Sequence, residues 1–243
     1  NLDELDAADV TQFVLRHVRS AGPGTAKVML AALRSFFRFL YLRGYSRTDL
    51  TGAVPTVADW RLSSLPKSLE PAQVSALLEN CDRNTPAGQR DYAILLLLAR
   101  LGLRACEIVQ MNLEDIDWDS GTLSLRGKGN REDRLPLPHD VGAALATYLR
   151  HARPRCTTRR VFVCKLAPLR GIGNSSTISA IVRRALDKAG VESPRRGAHL
   201  LRHSLAREML RKGASLQQIG ELFRHRLVNT TAIYAKVDLN KLR

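Results

Sequence analysis

Residues 195–234 read RRGAHLLRHSLAREMLRKGASLQQIGELFRHRLVNTTAIY, and the rest of the chain is best interpreted outward from this segment. It holds eight Arg or Lys residues against two acids, together with three of the six histidines. It ends on Tyr234, inside an apolar pattern typical of a helix. Two kinds of chemistry fit: binding of phosphate by the cations, and attack on a phosphate by the tyrosine hydroxyl.

The whole chain carries a strong excess of positive charge. Its 243 residues include 38 Lys and Arg against 23 Asp and Glu, which gives a formal net charge of +15 and a pI of about 10.4. Apolar residues make up 44% and charged residues 25%, an ordinary globular composition. A field of this sign attracts polyanions and favours nucleic acid as the partner; a basic surface that serves only solubility is the plainer alternative.

Motifs for several other chemistries are missing from the sequence. The four cysteines have no metal-binding spacing, and no P-loop, H-E-x-x-H or G-x-S-x-G motif occurs. A calcium-loop-like run from Asp115 has Arg126 where a bidentate Glu is required. We therefore predict no metal and no cofactor. The first residues do not resemble a signal peptide, and the longest apolar run, 92–99, is too short for a membrane span, which predicts a cytoplasmic protein.

Helical periodicity dominates the chain, with one interruption by short alternating segments. The fold class predicted is mainly α with a small antiparallel β-sheet (α+β). Helices are predicted at 5–20, 25–43, from 49, from 68, at 91–101, from 103, at 140–153, 175–189, 199–211, 215–223 and 229–237. Strands are predicted at 116–118, 122–126 and 133–137, with a further strand-like piece at 161–163.

Residues 55–67 combine two prolines with no clear periodicity and predict a linker between a small helical region, 1–54, and a larger one, 68–243. The small region is short, so we predict that it is truncated at its N-terminus. Its second helix should bury a face made of Met29, Leu33, Phe36 and Leu40. A basic stripe on another face is usually solvated, but it is also a candidate for contact with a DNA backbone; it consists of Lys27, Arg34 and Arg38.

Six residues have side chains suited to phosphate chemistry: Arg104, Lys128, His199, Arg202, His225 and Tyr234. Arg104 sits at a predicted buried helix junction, where it needs an anion: a phosphate, Glu107 three residues on, or another acid. His199 and Arg202 are three apart and face the same way on a helix. Several of these residues also have a plainer interpretation: a solvated turn for Lys128, a basic surface edge for Arg202 and His203, and core packing for Tyr234.

Taken in this order, the six residues resemble the catalytic set of the tyrosine recombinase (phage integrase) family. The matching text is LGLRACEI at 101–108, LSLRGKGNREDRLPLP at 123–138, GAHLLRHSLAREML at 197–210 and IGELFRHRLVNTTAIYAKV at 219–237. The resemblance covers residues 66–237. It implies a helical core-binding domain at 1–54 and a catalytic domain at 68–243. It also implies double-stranded DNA as the partner and a homo-oligomer on DNA, with a dimer at each site and a tetramer in the synapse.

The resemblance implies a mechanism in which Tyr234 forms a 3′-phosphotyrosyl bond and a second strand reverses the step through a four-way junction. Arg104 and Arg202 would bind the phosphate, and Lys128 would protonate the 5′-oxygen leaving group. His199 would assist proton transfer and His225 would hydrogen-bond the phosphate. Two alternatives stay open: a type IB topoisomerase, which rejoins the same strand, and a non-catalytic DNA-binding regulator.

The sequence departs from the family's pattern at one place. Where the family usually has Leu-Gly-His, this chain has Phe223-Arg224-His225, followed by Arg226. Glycine permits close approach of the backbone, whereas Arg224 either adds a phosphate contact or crowds the site. Arg224 and Arg226 therefore join the candidates for contact with the DNA backbone. The chain also continues for only nine residues after Tyr234, so we expect the C-terminal segment that relatives extend into a neighbouring protomer to be short or missing.

Overall fold

The computed structural model describes residues 4–18, 20–56, 67–126 and 132–224. Lys128, His225, Arg226 and Tyr234 lie outside these residues, as does the helix predicted at 229–237. Contacts divide the chain into two compact units, residues 1–61 and 62–243. Their assignment as a core-binding and a catalytic domain stays a prediction.

The described residues form nine α-helices and one three-stranded antiparallel sheet, which confirms the predicted fold class. The helices are α1 (Ala7–Val18), α2 (Pro23–Leu42), α3 (Pro71–Glu79), α4 (Pro86–Leu101), α5 (Ala105–Gln110), α6 (His139–Thr147), α7 (Ser175–Lys188), α8 (Ala198–Arg211) and α9 (Leu216–Leu222). The strands are β1 (Ile116–Asp117), β2 (Thr122–Arg126) and β3 (Glu132–Pro136). Short 3₁₀ turns occur at Leu50–Ala53 and Leu113–Asp115, and a π turn at Tyr148–Ala152. Across the described ranges, no helix is both long and apolar enough to cross a bilayer.

The first unit is built on α1 and α2. Asp6 and Asp9 cap α1 reciprocally, each carboxylate accepting from the other residue's backbone N–H at 2.8 and 3.2 Å. The Gly-Pro-Gly run at 22–24 separates α1 from α2, and α2 begins at its proline, two residues earlier than predicted, because a proline in the first turn needs no hydrogen-bond partner for its nitrogen.

The buried face of α2 differs from the predicted one. Leu40 is buried as expected, but Phe36 is 47% exposed and the neighbouring Phe37 is buried in its place. Leu30 likewise takes the core position expected for Met29. Apolar residues stand side by side at both points, so periodicity alone does not decide which of the two faces inward.

The three cations of the predicted basic stripe have different surroundings. Arg38 is exposed and Lys27 is partly buried. Arg34 is also partly buried, and its Nη2 donates to the carbonyl oxygens of Val54 at 3.2 Å and Pro55 at 2.7 Å. The Arg34 guanidinium therefore fastens the end of the first unit to α2. Contact of these three residues with DNA stays a prediction, and for Arg34 it requires these bonds to be exchanged.

The second unit is organised around α4, whose residues 93–98 are at most 1% exposed. The helix predicted at 91–101 is confirmed, but it begins earlier, at Pro86, because Thr85 caps it by accepting from the Gly88 N–H at 3.1 Å. Helices α3, α6, α7 and α8 all pack on α4. The helix ends at Gly102 in the left-handed conformation, with φ +58°.

The small sheet follows the predicted strands closely. β2 pairs antiparallel with both neighbours, with Leu123 opposite Leu135 and Arg126 opposite Glu132. The two leucines are buried, so one face of the hairpin packs on the core. Residues 127–131, between β2 and β3, lie outside the described residues.

Two predicted elements differ in the structure. The helix expected at 140–153 ends as regular α-helix at Thr147 and continues through the π turn. Val161–Val163 is buried but is not a strand. The Val161 N–H donates to Met111 and the Phe162 oxygen accepts from Ile172, so the segment bonds to two separate stretches and no continuous ladder forms.

Candidate active site

Arg104 occupies the junction between α4 and α5, where it is the N-cap residue of α5. Its backbone N–H donates to Glu107 Oε2 at 2.8 Å, and its Nη1 donates to Glu107 Oε1 at 2.9 Å. The pair with Glu107 that was considered from the sequence is therefore present. The Arg104 side chain is still 36% exposed, whereas that of Glu107 is only 10% exposed. The guanidinium thus combines one internal anion with an accessible face.

Arg202 lies on the inner side of α8 and is only 4% exposed. It donates through Nη1 to the Gly102 carbonyl and through Nη2 to the Phe223 carbonyl, the latter at 2.7 Å. Its guanidinium carbon lies 4.1 Å from the centre of the Phe223 ring, a favourable cation–π contact. The interpretation of Arg202 as part of a basic surface edge is therefore wrong. Its contacts join α8 to the Arg104 junction and to the end of α9.

Gly102 is required at this junction for two reasons. Its φ of +58° is costly for any residue with a side chain. A Cβ at this position would also lie 2.5 Å from Cε1 of Phe223, whose ring is fully buried. The close approach of the α4 end to Phe223 brings the Gly102 and Phe223 carbonyls within reach of one guanidinium.

His199 and His203 lie one turn apart on α8, with ring centres 6.3 Å apart. Burial lowers the pKa of His199, and the charges of Arg202, Arg104 and Arg195 lower it further. His199 is therefore held neutral at physiological pH, as a group that accepts or relays a proton must be. His199 lies one turn before Arg202 on α8, and Arg202 donates to the Gly102 carbonyl two residues before Arg104, so the three residues border the same junction.

His203 gives a stability prediction. Burial, followed by the charges of His199 and Arg195, lowers the pKa of His203 from 6.5 to about 4. Between these values the unfolded chain binds a proton that the folded chain does not, so stability is full above pH 6.5 and is lost as pH falls toward 4. His203 is partly exposed, so we expect a reduced effect: in His203→Gln the free energy of unfolding should decrease by about 1–2 kcal/mol less over this pH range than in the unsubstituted chain.

Urea unfolding between pH 7 and pH 4.5 measures the effect. The free energy of unfolding should fall less steeply with falling pH in His203→Gln than in the unsubstituted chain. Some dependence on pH should remain, because the lowered pKa of His199 contributes in the same direction. His151→Gln, at an exposed position, should keep the full slope. An unchanged slope in His203→Gln would show that His203 does not carry the proton difference.

Arg224 directly follows Phe223 and turns its side chain toward Glu107. Its Nη2 lies 2.7 Å from Glu107 Oε2, and its Nε lies 3.8 Å from Asp133 Oδ2 on β3. Its side chain is 9% exposed. Burial raises the pKa of Glu107, but the Arg224 charge and the hydrogen bonds from Arg104 outweigh it and hold that pKa below its ordinary value. Glu107 is thus a carboxylate shared by two arginines.

The structure brings together three of the six predicted residues: Arg104, His199 and Arg202. Lys128, His225 and Tyr234 lie outside the described residues, so their roles stay predictions. Sequence reasoning missed the sharing of Glu107, the ring of Phe223 beneath Arg202, and Asp133. Only Glu107 had a local signal, its spacing of three from Arg104. Within the described ranges, no group of three or more His, Cys, Asp or Glu side chains is placed to hold a metal ion.

Comparisons with known proteins identify the family and several relatives of this chain. The sequence model of the phage integrase family matches residues 67–241. The chain is 53% identical over its full length to y4rA, a candidate integrase/recombinase of Sinorhizobium fredii, and spans 59% of that protein's length. It is 32% identical to the tyrosine recombinase XerD of Listeria innocua, with 99% of this chain and 81% of XerD covered. The fold matches the XerH site-specific recombinase crystallised on difH DNA after cleavage, with TM-score 0.81, 21% identity and coverage of 100% and 72%.

Proposed function

This chain belongs to the phage integrase family, the tyrosine recombinases, and from this premise we propose that it cleaves and rejoins DNA strands at specific sites. The observation that carries the proposal is the convergence of Arg104, His199 and Arg202 at one helix junction. Two guanidinium groups and a neutral imidazole at one place suit a phosphodiester, whose non-bridging oxygens gain negative charge as an oxygen nucleophile attacks.

In the proposed reaction the Tyr234 oxygen bonds to the scissile phosphorus and the bond from phosphorus to the 5′-oxygen breaks. The leaving 5′-oxygen takes a proton from Lys128, and His199 assists removal of the tyrosine proton. The DNA stays attached through a 3′-phosphotyrosyl bond. Because this bond conserves the energy of the phosphodiester, a 5′-hydroxyl from another strand can reverse the step without ATP.

The arginines have distinct places in this mechanism. Arg104, 36% exposed, presents its guanidinium to the phosphate. Arg202 donates hydrogen bonds to the Gly102 and Phe223 carbonyls, which fixes the geometry of the junction, and its guanidinium adds positive charge to the site. His225 would hydrogen-bond the phosphate beside them. Preorganised donors of this kind are each worth about 10²–10³ in rate.

Exchange between two duplexes requires four strand cleavages, each by its own tyrosine. We therefore propose a dimer on each double-stranded site and a tetramer in the synapse, with a four-way junction as the intermediate. The net charge of +15 supports binding to DNA, and with it a cytoplasmic, nucleoid-associated location.

Tyr234→Phe tests the reaction. Nicked suicide duplexes of randomised sequence, incubated with the chain, should yield a protein–DNA adduct that survives boiling in detergent, and the retained DNA can be sequenced to identify the site. Tyr234→Phe should give no adduct while retaining DNA affinity, because only the nucleophilic oxygen is lost. Tyr148→Phe is the control, since that buried hydroxyl meets the Val163 N–H and has no part in the chemistry.

The same experiment separates the alternatives. A DNA-binding regulator gives no adduct in the unsubstituted chain. A type IB topoisomerase gives the adduct and relaxes supercoiled DNA, but yields no exchanged products when two recovered sites are supplied. Adduct together with exchanged strands is the result that the recombinase proposal requires.

A further inference from the structure

Arg224 has an unusual backbone conformation. Its φ is +53°, and among the described residues it is the only non-glycine residue with a positive φ. The left-handed region is unfavourable for a residue with a Cβ, and it persists where contacts of the side chain hold it in place.

The contacts of the Arg224 side chain are charged and buried. Its Nη2 lies 2.7 Å from Glu107 Oε2, with only 9% and 10% of the two side chains exposed. Its Nε lies 3.8 Å from Asp133 Oδ2. Its Nη1 is buried without a hydrogen-bond partner in the part of the chain that the structure describes. Arg224 therefore has an unsatisfied donor and an unfavourable backbone conformation. Its ion pair with Glu107, which lies 117 positions away in the chain, holds it in place despite both costs.

Glu107 therefore faces two cations of different exposure. Arg104 binds the same carboxylate at 2.9 Å but is 36% exposed. If Glu107 had Arg104 as its single counter-ion, moving the Arg104 guanidinium toward a phosphate would leave a buried carboxylate uncompensated, which is costly. With Arg224 in place, the carboxylate keeps a partner, and the attraction that Arg104 must give up is largely cancelled by the nearby positive charge.

We infer that Arg224 is a positioning residue: it takes over Glu107 as counter-ion and so releases the Arg104 guanidinium to the scissile phosphate. This inference rests on the proposed function. Through Asp133 on β3, Arg224 also connects the Arg104 junction with the hairpin that carries Lys128. Arg224 thus acts through Arg104, and no contact of its own with DNA is required.

Arg224→Gly tests this role, because glycine removes the cation and relieves the backbone strain at the same time. In single-turnover cleavage of the recovered suicide duplex at saturating protein, we expect cleavage about tenfold slower than in the unsubstituted chain. The melting temperature should be unchanged or higher. Arg224→Lys, which can still meet Glu107 with a point charge, should recover part of the rate.

The deciding variant combines Arg224→Gly with Glu107→Gln. The glutamine oxygen can still accept from the Arg104 backbone N–H, but it no longer holds the Arg104 guanidinium by charge. We expect the double variant to cleave within about threefold of the unsubstituted rate. Glu107→Gln alone should be slow, because it leaves the Arg224 charge buried without a counter-ion. A structural ion pair would give the same pattern in stability, so the melting temperatures must be compared as well. In the positioning role, Arg224→Gly melts no lower than the unsubstituted chain while it cleaves about tenfold slower.

Arg159→Gly is the matched control, since Arg159 is also a loop arginine paired with a glutamate, Glu114, but in an exposed position. It should leave the cleavage rate unchanged. The inference is overturned if Arg224→Gly cleaves at the unsubstituted rate, or if the double variant is no faster than Arg224→Gly. Absence of a Tyr234-dependent adduct in the unsubstituted chain is a different result, and it overturns the proposed function itself.

Discussion

Arg202→Lys is expected to slow DNA cleavage by about 10²–10³-fold and to lower the free energy of unfolding by about 2–3 kcal/mol. Arg202 donates through two different nitrogens to the carbonyls of Gly102 and Phe223. A lysine is a single point donor without a planar fork, so it cannot reproduce both bonds, and it cannot stack its charge flat on the Phe223 ring as the guanidinium does. At least one buried carbonyl then loses its partner.

Single-turnover cleavage and urea unfolding measure the two effects separately. Arg211→Lys is the control on the same helix, because its guanidinium is 47% exposed and pairs with Glu70 and Glu208 at the surface. Such surface pairs contribute about 0–1 kcal/mol, so little change is expected. If Arg202→Lys has the same free energy of unfolding as the unsubstituted chain and still cleaves slowly, Arg202 acts on the phosphate alone. Its hydrogen bonds to the two carbonyls would then make no contribution to stability.

Local patterns predicted much of the second unit. The capping box of Ser215 and Gln218 opens the helix predicted from 215, and Gly102 directly follows the helix predicted to end at 101, so both features are determined by residues within a few positions. The hairpin of β2 and β3 followed from alternation and a glycine-rich turn. In each case the residues responsible lie within one turn or one strand pair, so they are close together in the sequence and their pattern can be recognised there.

The contacts that define the candidate site are of the opposite kind. The Arg224–Glu107 pair joins residues 117 positions apart, and the Arg202 bond to Gly102 joins residues 100 positions apart. An arginine also gives no signal of a left-handed backbone, because that conformation is normally marked by glycine or asparagine. Which residues matter was predictable from their chemistry and order, whereas the partner of each cation was not.

Gly102→Ala is expected to lower the free energy of unfolding by about 2–4 kcal/mol. About 1 kcal/mol arises from φ +58°. The remainder arises from the new Cβ, which would lie 2.5 Å from the buried Phe223 ring. The ring can move only by disturbing its contact with Arg202, so cleavage should fall together with stability.

Gly190→Ala separates the two causes. Gly190 also ends a helix with a left-handed φ, +63°, but a Cβ there meets nothing within 4 Å. It should therefore cost only about 1 kcal/mol in urea unfolding and leave cleavage unchanged. The difference between the two variants is the contribution of the close approach between Gly102 and Phe223. If both variants lowered the free energy of unfolding by the same amount, the Phe223 ring would be able to move aside at no cost. The junction could then not hold Arg202 and Arg104 in a fixed geometry.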